Sequence, residues 1–139
     1  MKKIKFRVWD KATKRVLPLS HIVFDSNGEV PYALAELYDE DIEFYDDDDF
    51  EIMQYTGLKD DDDCEIYEGD IIKFHDLGLD RKGVVDFKDG SFAITDDYSD
   101  ITSLSDLVFV SKRDGFKYFV IGNIYENPEL LEEEKMVEK

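Results

Sequence analysis

Cysteine is almost missing from this chain: Cys64 is the single one in 139 residues. That excludes an intrachain disulfide framework and any multi-cysteine zinc site. The thiol follows Asp60–Asp63, whose charge opposes thiolate formation, so Cys64 reads as incidental. Long apolar runs are missing too. Nothing approaches the length of a membrane span, and Met1-Lys-Lys leads into Ile4-Lys-Phe-Arg7 rather than an apolar signal core. A soluble, cytoplasmic protein is the expectation. Histidine occurs only at His21 and His75, and no nucleophile pattern or glycine-rich phosphate loop accompanies either one. His75, with Asp76 and Asp80 nearby, is expected to be a loop residue rather than an acid–base catalyst. The reading is therefore of a non-enzyme without a cofactor or bound metal.

What the chain has in excess is acid. The formal net charge is -18, and 37% of residues are charged. Such a charge repels phosphate backbones and anionic membranes, so nucleic-acid binding is disfavoured. The charge is uneven. Residues 1–15 carry seven cations against Asp10, or +6, which leaves -24 for the remainder. A basic start beside an acidic body suggests intramolecular docking or self-association, against a plain solvated strand face. Aromatic residues, 14% of the chain, are sufficient to fill a core.

Residues 4–9 alternate as a half-buried strand, with Ile4, Phe6 and Val8 on one side and Lys5, Arg7 and Trp9 on the other. A polar turn over 10–15 and Val16-Leu17 complete a hairpin, and Pro18 marks its second strand as short or at an edge. Residues 22–24 favour a strand. Asn27-Gly28 supplies a tight turn, with a strand expected again from Glu29 although Pro31 weakens it. Residues 32–38 fit either a strand or two helical turns. Ile42 and Phe44 alternate inside an acidic stretch, and Asp46–Asp49 reads as a solvated loop because adjacent carboxylates resist burial. Residues 50–56 read as a strand ending at Gly57.

The second half is more regular. Residues 70–74 form a strand after Gly69, and 75–82 form a loop containing Gly78. Val85 and Phe87 pair in phase with Phe92 and Ile94 across Asp89-Gly90, the strongest hairpin signal in the chain. Leu104, Leu107, Phe109 and Val110 suggest a further strand or turn region, and residues 116–124 a closing strand. Asn127-Pro128-Glu129 has the signature of a helix start. Leu130, Leu131 and Met136 would face the body of that short terminal helix. Short strands at regular spacing predict a mainly β chain, with an SH3-like small antiparallel barrel in the C-terminal half, N-terminal β-hairpins and a short C-terminal α-helix. Residues 1–52 would form the hairpin lobe with its acidic loop, and 53–139 the barrel and helix, within one compact domain overall.

Four blocks carry a resemblance: Phe6-Arg-Val-Trp-Asp10, Met53-Gln-Tyr-Thr-Gly-Leu-Lys-Asp60, Ile66-Tyr-Glu-Gly-Asp-Ile-Ile72 and Val120-Ile-Gly-Asn-Ile-Tyr-Glu-Asn-Pro-Glu-Leu-Leu131. In order and together they resemble the YopX-like family of bacteriophage and prophage proteins. The resemblance implies a phage-encoded, mostly β cytosolic protein, with no named activity and no catalytic residue to carry over. One departure is visible. Where the family pattern is a mixed turn with glycine, this chain has Asp60-Asp-Asp-Asp63 and Cys64.

Clustered carboxylates at 46–49 and 60–63 raise calcium binding, but Glu65 stands where a calcium loop needs glycine, and the flanks read as strands, so solvated acidic loops are expected. Trp9, Tyr55, Tyr67, Tyr98 and Tyr118 are aromatics beside charge, the type that anchors interfaces or roofs a small barrel. The candidate interface is Lys5, Arg7, Trp9, Tyr55 and Tyr67. The structural turns are assigned to Asn27, Gly28, Gly57, Gly69, Asp89 and Gly90. The leading expectation is a non-catalytic protein that binds an unidentified host or phage protein, or itself as a homo-oligomer. The alternatives are a nucleic-acid mimic, a nucleic-acid-binding barrel and, last, a metal-dependent enzyme.

Overall fold

The computed structural model describes residues 3–48, 50–76, 78–97 and 101–131. The chain is mainly β and antiparallel, with twelve strands and one helix of eleven residues among the described residues. It divides into two compact units between Gln54 and Tyr55.

In the first unit, β1 (Phe6–Asp10) and β2 (Arg15–Pro18) make the expected hairpin, Val8 opposite Leu17. Asp10 builds its turn: the carboxylate accepts the Ala12 N–H at 3.1 Å and the Thr13 hydroxyl at 2.6 Å, while its carbonyl accepts Lys14 N–H at 2.7 Å. β2 ends at Pro18 on the sheet edge, where a missing N–H costs no ladder bond. A second, three-stranded meander holds β3 (His21–Val23), β4 (Tyr32–Glu36) and β5 (Asp41–Tyr45). The stretch that fitted either helix or strand is therefore a strand. Alternation decides it, because Ala33 and Ala35 point into the core and pair with Phe44 and Ile42. The return strand begins at Tyr32 rather than Glu29, and Phe24 lies outside β3. The intervening turn is held by Asp25, which accepts the N–H groups of Asn27 and Glu29, both at 2.9 Å. Val8, Leu17, Ala33, Ala35 and Phe44 form the core of this unit.

β6 (Phe50–Lys59) crosses the unit boundary, pairing with β1 through its first half and with β7 (Glu65–Tyr67) through its second. It does not end at Gly57. That residue sits at φ 86, in the left-handed region open to glycine, and the β6–β7 register slips there, so the strand bulges and continues.

The second unit carries a five-stranded sheet in the order β11-β10-β9-β8-β12. β8 (Asp70–Asp76) and β9 (Leu79–Lys88) form a long hairpin with His75 opposite Asp80. The expected loop over 75–82 is thus mostly strand. Its polar residues hide the alternation, yet Arg81, Gly83 and Val85 point inward in turn. β10 (Ser91–Asp96) returns through Asp89 (φ 51) and Gly90 (φ 83) with Phe92 opposite Phe87, the register that the sequence predicts. β11 (Ile101–Ser103) leads into α1 (Leu104–Asp114).

The expectation of a strand or turn over 104–110 is wrong. Leu104, Leu107, Val108 and Ser111 are buried at spacings of 0, 3, 4 and 7, which is a helical stripe, whereas Phe109 and Val110 face outward. Gly115 at φ 77 and the Phe116 N–H on Ser111 O at 2.9 Å close the helix. The closing strand, β12 (Phe119–Asn123), is shorter than the 116–124 expected. Helical backbone follows at 129–131, and Met136 lies outside the described residues. Ile66, Ile72, Phe74, Val85, Ile94, Leu104 and Tyr118 are at the centre of this unit's core. No helix among the described residues is long and apolar enough to cross a membrane.

Candidate functional site

The acidic loop between β6 and β7 is a clasp. Asp60 is buried, and its Oδ1 accepts the N–H of Asp62 at 2.9 Å and of Cys64 at 2.8 Å. Its Oδ2 accepts the Val120 N–H at 2.9 Å. Asp61 Oδ2 takes the Tyr118 N–H at 2.8 Å, and the Asp61 N–H returns a bond to Tyr118 O at 3.2 Å. The Tyr118 hydroxyl donates to Lys59 O at 3.1 Å. Burial, then Asp61 and Asp60, push the Tyr118 phenol above its ordinary value. The expectation of a purely solvated loop with a local role fails for Asp60 and Asp61. Their carboxylates satisfy backbone donors about sixty residues away, which offsets the cost of partial burial. Asp63, at φ 66, takes the left-handed conformation that the missing glycine would have supplied.

A second polar knot closes the chain. Asn123 is buried, and its Oδ1 accepts the N–H of Tyr125 at 3.0 Å and of Glu126 at 2.8 Å. Its own N–H donates to Asn127 Oδ1 at 3.1 Å. Asn127 lies against Gly122 so closely that a Cβ there would stand 2.6 Å from Asn127 Oδ1. Asp70, also buried, accepts the Tyr67 N–H at 2.8 Å across the turn at Gly69.

The residues expected at an interface fall into two groups. Lys5, Arg7 and Trp9 are partly buried in the first unit, where Arg7 Nε donates to Met53 Sδ at 3.4 Å and Trp9 lies opposite Val16 and Glu51. Tyr55 and Tyr67 stack on each other in the second unit at 5.5 Å. Tyr55 and Tyr118 are buried, so neither offers a ring to a partner, and Tyr98 lies outside the described residues. Lys11 pairs with Glu51 at 3.6 Å and Arg15 with Glu40 at 3.1 Å, so two of the N-terminal cations meet carboxylates of their own unit. In the acidic run before β6, Asp46–Asp48 are exposed, with Asp48 Oδ2 accepting the Tyr45 N–H at 2.8 Å; Asp49 lies outside the described residues.

His75 is held between Asp80, at 3.3 Å from Nδ1, and the Phe116 ring at 4.4 Å. His21 Nδ1 lies 3.3 Å from Glu36. Among the described residues, no three His, Cys, Asp or Glu side chains converge as metal ligands would. A buried pair was not anticipated: Arg81 donates to Asp96 Oδ2 at 2.9 Å. Burial opposes the Arg81 charge, but the Asp96 bond and the carboxylates of Asp96, Asp76 and Asp97 hold its pKa above the ordinary value.

One concavity in the second unit has an uncharged lining. Leu58, Phe87, Phe92 and Leu104 line a groove of about 380 Å³ together with Thr56, Ser91, Ser103 and Ser105, the Thr56 hydroxyl donating to Ile66 O at 2.8 Å. Phe87 is half exposed and meets Phe92 edge-on at 5.1 Å. No lining residue is charged. A groove of about 580 Å³ in the first unit is the opposite kind, with Asp10, Lys11, Arg15, Glu40, Glu43 and Asp48 around it.

Comparison with known families covers most of the chain, both polar knots included. The family model described as YopX protein matches residues 5–132. The chain belongs to the YopX family. Two solved structures share its architecture. Protein EF1440 from Enterococcus faecalis is 27% identical, with a TM-score of 0.68, over 94% of this chain and 99% of that one. Protein yopX from Bacillus subtilis is 24% identical, with a TM-score of 0.64, over 94% of this chain and 98% of that one. No curated protein matches the sequence. In this YopX-family chain, Asp10, Asp60, Gly69, Asp70, Gly122, Asn123 and Asn127 of the family-like blocks all act as turn builders or latches.

Proposed function

We propose that this YopX-family chain is a non-catalytic, phage- or prophage-encoded cytoplasmic protein that works by binding another protein, and that the uncharged groove between Leu58, Phe87 and Leu104 is its contact. The observation that carries the reading is the lining itself. In a chain with 37% charged residues, nine lining residues without one charge combine apolar side chains with serine and threonine. That arrangement favours an uncharged peptide segment with aromatic or aliphatic side chains, the apolar part meeting Phe87 and Phe92 and the backbone meeting the serines. Residues 55–139 carry ten cations and 22 carboxylates, or -12, which repels nucleic-acid phosphates from this unit. Nucleic-acid mimicry is weakened as well, since Asp60 and Asp61 point their carboxylates at backbone N–H groups.

The test is panning of a displayed random peptide library, followed by direct titration of the enriched peptides. Uncharged apolar sequences should be enriched, and Phe87→Ser should weaken their binding about tenfold or more, as loss of a central aromatic anchor does. Absence of enrichment, or binding indifferent to Phe87→Ser and Leu58→Asp, overturns the assignment.

A further inference from the structure

We propose that this chain also associates with itself head to tail, the basic, aromatic end of α1 on one copy receiving the acidic, tyrosine-bearing strip 36–48 of another. The proposal uses no residue of the uncharged groove and stands independently of it.

α1 buries one stripe and leaves two apolar residues among the polar ones on its outer side. Phe109 is 65% exposed and Val110 41%. Lys112 and Arg113 follow Phe109 by three and four residues, so on the helix their side chains flank its ring. Val110 and His75 line the same small cavity, about 130 Å³, and His75 stacks on Phe116, itself 43% exposed. Three exposed apolar side chains, Phe109, Val110 and Phe116, thus fall within eight residues, with Lys117 next in the chain, while Asp76 and Asp106 share the lining of the cavity. Scattered exposed hydrophobics are ordinary, but several grouped beside charge mark a contact surface.

The charge selects the occupant. Residues 104–117 hold Lys112, Arg113 and Lys117 against Asp106 and Asp114, or +1, inside a unit that carries -12. Arg113 is forked onto Asp114 at 3.0 and 3.3 Å. Among the described residues no carboxylate pairs with Lys112 or Lys117. Residues 36–48 hold eight carboxylates and no lysine or arginine. Four of these are already engaged, Glu36 with His21, Glu40 with Arg15, Glu43 with the Tyr45 hydroxyl and Asp48 with the Tyr45 N–H. Asp39 and Asp41 are exposed, beside a Tyr38 that stands fully in solvent and a half-exposed Tyr45. Aromatic rings with free carboxylates on one face suit aromatic rings with free ammonium groups on the other. Because the two faces differ, the contact is heterologous, and each copy can engage two neighbours.

Sedimentation velocity of the full chain tests this. Average mass should rise between about 5 and 500 μM protein at low salt, the range of a weak contact. It should fall back when salt increases from about 0.05 to 0.5 M, which shortens the screening length from about 14 to about 4 Å. Phe109→Ser with Phe116→Ser should weaken association about tenfold or more. Lys112→Glu with Lys117→Glu should do so separately, as should Asp39→Lys with Asp41→Lys. These charge-reversed positions are all exposed, so each protein should melt like the parent. Mixing the two charge-reversed proteins should restore association, because each presents the face that the other has lost. A monomer at every concentration in low salt overturns the proposal. So does association that survives both charge reversals, or one that mixing fails to restore.

Discussion

Asp60 and Val120, sixty residues apart, meet in a 2.9 Å hydrogen bond from the Val120 N–H to the Asp60 carboxylate. The same carboxylate closes its own loop through Asp62 and Cys64. One buried side chain therefore fixes both a turn and the approach of the last strand. Asp60→Ala would leave three N–H groups without that acceptor, and urea unfolding should show a loss of about 2–4 kcal/mol. Asp62→Ala, exposed in the same loop, should stay within about 0.5 kcal/mol.

Tyr118 makes stability depend on alkaline pH. Its phenol is raised by burial and by Asp61 and Asp60, so the folded chain holds the proton more tightly than the unfolded chain. The contribution is complete below the unfolded pKa of about 10 and is lost as pH rises from there through the folded value. Tyr32 and Tyr45 shift the same way, the first chiefly by burial and the second by its hydrogen bond to Glu43. Tyr118→Phe should cost about 1 kcal/mol at neutral pH, through the lost bond to Lys59 O. It should also flatten, without abolishing, the decline in unfolding free energy above pH 10. An unchanged slope would remove Tyr118 from the account.

Two glycines should fail for different reasons. A Cβ at Gly83 would overlap Ile94 Cγ2 and reach 3.0 Å from Thr95 O, so Gly83→Ala should cost about 1–3 kcal/mol by overpacking. Gly57 has open space around it but stands at φ 86, so Gly57→Ala should cost about 1–2 kcal/mol through the backbone alone. Gly57→Asn should recover part of that loss and Gly83→Asn should not, a contrast that thermal melts read directly.

Phe87 should separate binding from folding. Its ring is half exposed, and its edge-on contact with Phe92 is worth about 0.5–1.5 kcal/mol. Phe87→Ser should therefore unfold within about 1.5 kcal/mol of the parent while losing peptide binding. A larger loss would make Phe87 a core residue in effect.

Much of the fold was legible where one residue type has one physical use. Asp89-Gly90 favours positive φ at both turn positions, so the Phe87–Phe92 register followed from sequence. Val8 and Leu17 announced the first hairpin by alternation, and Pro18 announced its edge. The family blocks were likewise readable from end to end. Where tertiary burial chose between equal local options, the sequence was silent. Tyr32–Glu36 became a strand because Ala33 and Ala35 meet Phe44, not because of propensity. The stripe of α1 was hidden because its exposed residues, Phe109 and Val110, are as apolar as its buried ones.

The candidate surfaces and the clasp belong to that second category. Neither Leu58, Phe87 and Leu104 nor Asp60 and Val120 are neighbours in the chain, and a groove or a latch exists only once the strands bring them together. By itself the sequence determined the composition, the acid excess, the turn chemistry and the family, all properties of residues or short runs. The tertiary structure alone decided which aspartates hold backbone N–H groups and which aromatics stay in solvent. Those outcomes depend on burial, and burial is a property of the packed chain rather than of any segment within it.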